Sequence, residues 1–267
     1  MSASRPYGIF LEEFAAADIP IWREVLCTAE LLLLHCSPVY WGFGVPQGDG
    51  SAVVLIPGFL KSDGYLGQMY SWLTRVGYKP YFSGIGQNAE CPNLLIESVV
   101  GESVARAHRE SGRKVHLIGH SLGGLIARAV AAQQPDAVAS VITLASPFRG
   151  TVAHPFILNA AEEVRRRILQ EQGARVLPTC YTGRCTCQFV EALRQELPAS
   201  VLETAVYTRS DGIVDWRYCR SEDPAIDYEV PGTHLGLVYN WDAYSVIAAR
   251  LKAAQESQGR DSKPSCQ

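Results

Sequence analysis

The sequence lacks the features that direct a chain to nucleic acid or across a membrane. It has 24 basic and 27 acidic residues, a formal net charge of -3, and no block of Lys and Arg that would bind phosphates. Its densest basic run, residues 165–167, is typical of one solvated helix face. The leucine run at residues 31–34 is too short to cross a bilayer. We therefore expect no nucleic-acid partner and no integral membrane segment, with contact to a lipid interface left open.

The beginning of the chain also lacks the order of residues found in a secretion signal. Residues 1–14 place one Arg and two Glu before any apolar run, whereas a signal peptide has positive charge followed directly by an apolar segment. If the sequence is complete, a cytoplasmic location is expected. A secreted or periplasmic location stays open because eight cysteines are many for a cytoplasmic chain of this size. The oligomeric state is not predicted.

Four of the cysteines are candidates for a covalent or metal link. Cys180, Cys185 and Cys187 lie close together in sequence, and Cys219 is a partner that folding can bring to them. A disulfide among the four is the leading interpretation, ahead of free thiols and of a zinc site, since no Cys-x-x-Cys ligand pair is present. No carboxylate cluster suited to calcium occurs either. The sequence thus predicts no metal and no cofactor.

The 267 residues, 47% of them hydrophobic, suffice for one large α/β domain. Strand and helix patterns alternate over residues 51–254, which indicates a mostly parallel sheet flanked by helices. The predicted strands are residues 51–56, 79–82, 115–118, 138–144, 201–207 and 225–230. The predicted helices in this region are residues 64–76, 93–110, 125–132 and 240–254.

Three regions depart from this alternation. In residues 1–50, a helix over residues 18–35 is expected to pack its apolar face on the core, because its polar face is acidic and does not suit a membrane surface. That apolar face comprises Trp22, Val25, Leu26, Ala29, Leu32 and Leu33. Residues 150–200 interrupt the alternation and contain helical patterns at 157–169 and 188–197, which predict a small helical cap. The polar residues 255–267 are expected to form a disordered tail.

A nucleophile elbow is predicted at residues 119–123. The sequence Gly-His-Ser-Leu-Gly follows an apolar strand pattern and precedes an alanine-rich helical pattern, so Ser121 is placed at the tip of a sharp strand-to-helix turn. The flanking Gly119 and Gly123 fit such a turn, because the two backbones come too close for a Cβ atom. Ser121 is therefore the candidate nucleophile.

A serine hydroxyl needs an imidazole to take its proton and a carboxylate to orient that imidazole. His234 is the one histidine that follows Ser121 in a loop after a late strand, whereas His154 falls in the predicted cap. Asp211 is the preferred acid because it is the first carboxylate after a strand, with Asp215 as the alternative and helix capping as its other role.

Two backbone N–H groups are expected to bind an oxyanion. The first belongs to Leu122, the residue after the nucleophile. The second belongs to the loop after the first core strand, where Phe59 is the preferred donor and Leu60 the next. Apolar side chains on both donors suit an acyl-chain pocket.

The motifs together resemble bacterial lipases and esterases of the α/β-hydrolase superfamily. They are Pro57-Gly58-Phe59, Gly119-His120-Ser121-Leu122-Gly123-Gly124, Ser146-Pro147-Phe148-Arg149-Gly150-Thr151, Ser210-Asp211-Gly212-Ile213-Val214 and Gly232-Thr233-His234-Leu235-Gly236-Leu237. The resemblance covers residues 51–251. It implies the α/β-hydrolase fold, a triad at Ser121, Asp211 and His234, and a small-molecule or lipid ester as substrate.

Three functional hypotheses follow. The first is a serine hydrolase that cleaves carboxylic esters of lipophilic acyl chains through an acyl-enzyme. The second is an acyltransferase that uses the same triad and excludes water beneath the cap. The third is a hydrolase-fold binding protein without turnover, which the intact Ser, Asp and His disfavour.

Overall fold

A computed structural model describes residues 14–179 and 185–261 of the chain. Its strands, in chain order, are β1 (Phe14–Ala16), β2 (Ala52–Ile56), β3 (Lys79–Phe82), β4 (Val115–His120), β5 (Val138–Leu144), β6 (Thr151–Ala153), β7 (Leu202–Tyr207) and β8 (Asp227–Glu229). Its α-helices are α1 (Cys27–Cys36), α2 (Gly67–Arg75), α3 (Pro92–Leu95), α4 (Gly101–Ser111), α5 (Leu122–Gln133), α6 (Pro155–Gln172), α7 (Gln188–Arg194) and α8 (Trp241–Asp261). A single π-helical segment, Ile96–Val100, joins α3 to α4.

Six strands form one parallel sheet in the order β3-β2-β4-β5-β7-β8. Strand β2 is buried along its whole length, which is why its sequence, Ala-Val-Val-Leu-Ile, is apolar without alternation. The predicted α/β class with a parallel sheet is thus confirmed. The sequence patterns missed β1 and β6, which pair with each other in a separate two-stranded sheet, because three-residue strands show too little periodicity to detect.

Helices cover both faces of the large sheet. On one face α4, α5 and α7 pack against alternate residues of the strands, such as Val54 and Leu117. On the other face α1, α2 and α8 pack against the intervening residues, such as Leu55 and Ile118. Burial of a Leu, Val or Ile side chain in either layer contributes roughly 1.5–3 kcal/mol. The loops at the carboxyl ends of the strands are left to form the site.

The N-terminal segment, Ile21–Leu26 and α1, packs with the face opposite to the predicted one. Trp22 and Val25 are 65% and 72% exposed, whereas Leu34 and the charged Glu24 are buried. The predicted orientation is wrong because Glu24 and Glu30, on the opposite side, accept hydrogen bonds from distant backbone N–H groups and turn that side inward. The acidic side of this segment therefore faces the protein.

The region predicted as a cap divides between two environments. Helix α7 packs on α5 and supplies Phe189 and Leu193 to the core on that face of the sheet. Helix α6 instead rests through Val164 and Ile168 on a small cluster that includes Ala89. Residues of both helices border a cavity at the carboxyl ends of the strands, Phe156 to Leu158 from the first turn of α6 and Phe189 and Val190 from α7.

The predicted disordered tail is wrong for residues 255–261, because α8 continues to Asp261. Ala254 is buried, and the side-chain amide of Gln255 donates to Asp49 Oδ1 at 2.9 Å, so this end of the helix is attached to the body. Residues 262–267 lie outside the described residues. In the described part of the chain, none of the helices combines the length and apolar character needed to span a membrane.

Candidate active site

Ser121 occupies a strained turn between β4 and α5. Its backbone angles are φ 53° and ψ −123°, a conformation that a residue with a side chain adopts only at an energetic cost. The surrounding structure holds it there: the Ser121 N–H donates to the Leu144 carbonyl at 2.7 Å, and the Ser121 carbonyl accepts from Gly124 N–H at 3.0 Å. The turn places the serine at the carboxyl end of the central strand.

The glycines on either side of Ser121 permit this turn. A Cβ atom on Gly119 would lie 2.2 Å from the Gly123 carbonyl oxygen, and one on Gly123 would lie 2.2 Å from the Ile56 carbonyl oxygen. Both neighbours are backbone atoms, which cannot rotate away. Gly58 has a related role, since its Cβ atom would lie 3.2 Å from the Cβ of Ser121. Residues 119–123 are thus packed backbone to backbone.

His234 and Asp211 form a buried hydrogen-bonded pair. His234 Nδ1 donates to Asp211 Oδ2 at 2.7 Å, and Asp211 Oδ1 accepts from the N–H groups of Ile213 and Val214, both at 2.8 Å. Because the carboxylate only accepts, the proton of the neutral ring resides on Nδ1, and Nε2 is left as the basic nitrogen.

The environment of His234 favours its protonated form. Burial alone would lower the pKa of His234, but the Asp211 carboxylate and, more weakly, Glu24 raise it, and the net result is a pKa above the usual 6.5. His120 lies against it, with ring centroids 4.9 Å apart, and its Nε2 donates to the His234 carbonyl at 2.9 Å. Burial holds the pKa of His120 well below 6.5, so this second ring is neutral.

The alternative acid and base residues have other partners. Asp215 caps the 3₁₀ helix Trp216–Cys219 by accepting from Arg217 N–H at 3.0 Å, and it also pairs with the Arg217 guanidinium. His154 caps α6, where its Nδ1 accepts from Phe156 N–H at 3.1 Å. Neither side chain contacts the Asp211–His234 pair.

Ser121 and His234 line the same cavity, whose volume is about 420 Å³. Phe59 and Leu122 also border it, so four of the five predicted site residues meet there, and Asp211 lies behind His234. The Leu60 N–H donates to the Asn88 carbonyl at 2.8 Å and is therefore not available to an oxyanion. The remaining wall is mostly apolar. It includes Ile21, Leu125, Phe156, Ile157, Leu158, Ala161, Phe189, Val190 and Ile213.

Three polar residues that sequence reasoning missed hold the loops of the site. Asn88 is fully buried, and its side-chain amide donates to the Pro57 carbonyl at 2.8 Å, so it fixes the loop that contains Phe59. Glu24 and Glu30 of the N-terminal segment accept hydrogen bonds from the loops of Asp211 and His234. None of the three lies in a motif, and only the folded chain brings them to the site.

The predicted disulfide is not formed among the described cysteines. Cys185, Cys187 and Cys219 are free thiols. Cys185 and Cys187 adjoin each other in the cavity wall, whereas Cys219 is buried in a different cluster with Tyr207 and Val214. Burial raises the pKa of Cys187 to about 12. Cys180 lies outside the described residues.

No grouping of three or more His, Cys, Asp or Glu side chains able to hold a metal ion occurs in residues 14–179 and 185–261. Asp211 and Glu24 at the site instead accept hydrogen bonds from backbone N–H groups. The arrangement brings a hydroxyl and an oriented imidazole to one apolar cavity, which suits nucleophilic acyl transfer.

Comparison with known proteins connects this geometry to a family. Residues 56–198, more than half of the chain, match the family model described as the alpha/beta hydrolase fold. Over 140 residues the chain is 33% identical to a triacylglycerol lipase of Burkholderia plantarii, a match that spans 49% of this chain and 39% of the lipase. Over 113 residues it is 34% identical to a pimeloyl-[acyl-carrier protein] methyl ester esterase of Aliivibrio fischeri, spanning 41% of each chain.

A solved structure agrees at the level of the fold. The crystal structure of Paleococcus ferrophilus monoacylglycerol lipase superposes with a TM-score of 0.52 at 15% identity, covering 79% of this chain and 97% of that one. The resemblance inferred from the motifs is therefore confirmed. The chain belongs to the α/β-hydrolase fold family.

Proposed function

We propose that this protein is a serine hydrolase that cleaves carboxylic esters of lipophilic acyl chains through an acyl-enzyme on Ser121. The observation that carries the proposal is the buried Asp211–His234 pair, whose histidine lines the same apolar cavity as a serine held at positive φ. The names of the curated relatives, a lipase and a methyl ester esterase, support ester cleavage as the reaction.

In the first half of the reaction, the Ser121 hydroxyl oxygen attacks the ester carbonyl carbon. His234 Nε2 accepts the hydroxyl proton, and Asp211 stabilises the imidazolium that results. The carbonyl oxygen becomes an oxyanion, for which the N–H groups of Phe59 and Leu122 are the proposed donors. When the tetrahedral intermediate collapses, the ester C–O bond breaks and the proton on His234 passes to the departing alkoxide.

In the second half, water replaces the alcohol. His234 takes a proton from the water as its oxygen attacks the acyl carbon, and the bond to Ser121 breaks with return of the proton to the serine oxygen. The products are the free carboxylic acid and the original enzyme. An acceptor alcohol in place of water would give transfer of the acyl group.

The cavity wall supports a lipophilic acyl chain as the preferred substrate. Most lining side chains are apolar, and a chain of methylene groups gains about 0.8 kcal/mol for each group removed from water. Lys61 and Glu24 are the charged side chains at the cavity, and the Glu24 carboxylate is buried in hydrogen bonds to backbone.

The test is hydrolysis of p-nitrophenyl esters and triglycerides of increasing acyl length by wild type and Ser121→Ala. We expect wild-type kcat/KM to rise with chain length until the cavity is filled, and Ser121→Ala to lose at least about 10³-fold. Equal activity in the two proteins would contradict the proposal. An added alcohol distinguishes the alternative, because a dominant transfer product would show an acyltransferase.

A further inference from the structure

Glu24 lies in the N-terminal segment, ahead of the residues that match the family model, and yet it binds the backbone beside Asp211 and at His234. Its Oε1 accepts from the N–H groups of Gly212 at 2.8 Å and His234 at 3.1 Å, and its Oε2 accepts from Leu235 N–H at 2.7 Å. The side chain is only 7% exposed. A buried carboxylate is costly unless its oxygens are bonded, so this arrangement is specific.

These three bonds connect two separate loops. Gly212 follows Asp211 directly in the Asp211 loop (residues 208–215), and His234 and Leu235 belong to the His234 loop (residues 231–236). Apart from Glu24, the Asp211–His234 hydrogen bond and a bond from Thr208 Oγ1 to the Gly232 carbonyl at 2.7 Å also join the loops. Glu24 adds a link on the backbone beside both side chains.

Glu30 provides a contrast within the same segment. Its carboxylate accepts from the N–H of Thr233 at 2.9 Å and from Thr233 Oγ1 at 2.7 Å, so it contacts the His234 loop alone. Gly236 packs against the Glu30 carboxylate so closely that a Cβ atom at position 236 would overlap Glu30 Oε2. Glu30 therefore anchors one loop to α1, whereas Glu24 spans both.

The charge of Glu24 also reaches the imidazole. The ionisable groups that face His234 are Asp211 and Glu24, which raise its pKa, Lys61, which lowers it, and the neutral His120. Glu30 is not among the groups that shift the pKa of His234. Glu24 is buried and Glu30 is half-buried, and of the two only Glu24 is among the groups that shift the pKa of the imidazole.

We propose that Glu24 is a positioning residue, which locks the Asp211 loop and the His234 loop together so that the imidazole stays aimed at Ser121. The inference rests on the proposed function and deepens it. It makes the N-terminal segment a part of the working site, because the family-matched residues 56–198 contain neither Glu24 nor the two loops that it joins.

The test compares Glu24→Gln with Glu30→Gln in the full chain. Glutamine retains the shape of Glu24 but presents an NH₂ group to at least one backbone donor and removes the charge. We expect kcat to fall on the order of tenfold with KM changed less than about twofold, since a misaimed base slows chemistry rather than binding. Glu30→Gln is the control for loss of a half-buried carboxylate that accepts hydrogen bonds from the His234 loop alone.

The pH profile separates positioning from a purely structural role. The neutral imidazole is the active form, so kcat/KM falls as the pH drops through the pKa of His234. Loss of the Glu24 charge lowers that pKa, and the acidic limb of the Glu24→Gln profile is expected to move to lower pH. The Glu30→Gln limb should stay at the wild-type position. Glu24→Asp keeps the charge with a shorter reach, so its limb should stay near wild type while kcat remains low.

The outcomes distinguish the two proposals. Wild-type kcat and an unmoved limb in Glu24→Gln, or the same change in Glu24→Gln and Glu30→Gln, would overturn the positioning role. If Ser121→Ala stays active, the proposed function itself fails. Should Glu24→Gln fold poorly, the rate of fluorophosphonate labelling of its folded fraction replaces turnover: a slowed rate with a shifted pH limb supports the inference, and a wild-type rate refutes it.

Discussion

The elbow around Ser121 and the N-terminal segment that contains Glu24 both border the site. The contacts that fix their conformations, however, join residues at very different separations in the sequence. In the elbow, Gly119 meets Gly123, four positions away, and each is fixed by the backbone it touches. In the N-terminal segment, the partners of Glu24 lie 188, 210 and 211 positions further along the chain.

This difference explains why one region is predictable and the other is not. A tight turn requires glycines at fixed positions close together in the sequence, so the motif alone predicts the geometry. The orientation of the N-terminal segment instead depends on backbone donors in two distant loops. Those donors attract Glu24 and Glu30 inward, and the apolar residues Trp22 and Val25 are left exposed.

The largest effect is expected from Gly123→Ala in the elbow. The added methyl group would meet the Ile56 carbonyl oxygen at 2.2 Å, and relief requires movement of two core elements, so we expect a loss of at least about 4 kcal/mol in the free energy of unfolding. Gly67→Ala is the control, because no atom lies within 4 Å of its Cβ position at the start of α2. It should leave stability unchanged or raise it by up to about 1 kcal/mol. Urea denaturation measures both, and equal losses would show that the elbow is not tightly packed.

The next largest effect is expected in the Asp211 loop. Asp211→Ala removes the partner of His234 Nδ1 and should lower kcat/KM by about 10³-fold, or ~4 kcal/mol of transition-state stabilisation. Asp215→Ala removes a helix cap that faces Arg217 and should change kcat/KM less than about threefold, with a loss of ~1 kcal/mol in stability. Steady-state kinetics on one p-nitrophenyl ester decides between them. Comparable losses of activity would refute the assignment of the acid.

A smaller effect tests the orientation of the N-terminal segment directly. Leu33 and Leu34 are neighbours in α1, but they are 50% and 0% exposed. Leu34→Ala should lower the free energy of unfolding by about 3 kcal/mol, whereas Leu33→Ala should change it by less than about 0.5 kcal/mol. Thermal and urea denaturation of the two variants provide the measurement. The reverse ranking would restore the orientation expected from helical spacing.

Much of the fold was predictable because its strands are buried on both sides. The apolar runs at β2 and β5 and the strand-helix alternation indicated a parallel sheet, and the structure has one. The same pattern could not show that α7 packs on the core of the sheet and α6 on a separate small cluster, because both helices carry apolar residues that suit either place.

The site was predictable where its residues lie in short motifs. The structure places Ser121, His234, Phe59 and Leu122 at one cavity and pairs His234 with Asp211, and their catalytic roles are the proposal tested above. Asn88 and Glu24 were missed because each acts on backbone groups far along the chain. The disulfide prediction failed for a similar reason, since only the fold shows that Cys185 and Cys219 are buried in different clusters.

Labelling with a fluorophosphonate tests the central claim most directly, namely that Ser121 is a nucleophile activated by His234 and Asp211. Intact-mass and peptide analysis of wild type should show one phosphonyl adduct per chain, on Ser121, formed far more slowly in Asp211→Ala and absent from Ser121→Ala. A folded wild-type protein that does not react, or an adduct that persists in Ser121→Ala, would contradict the claim.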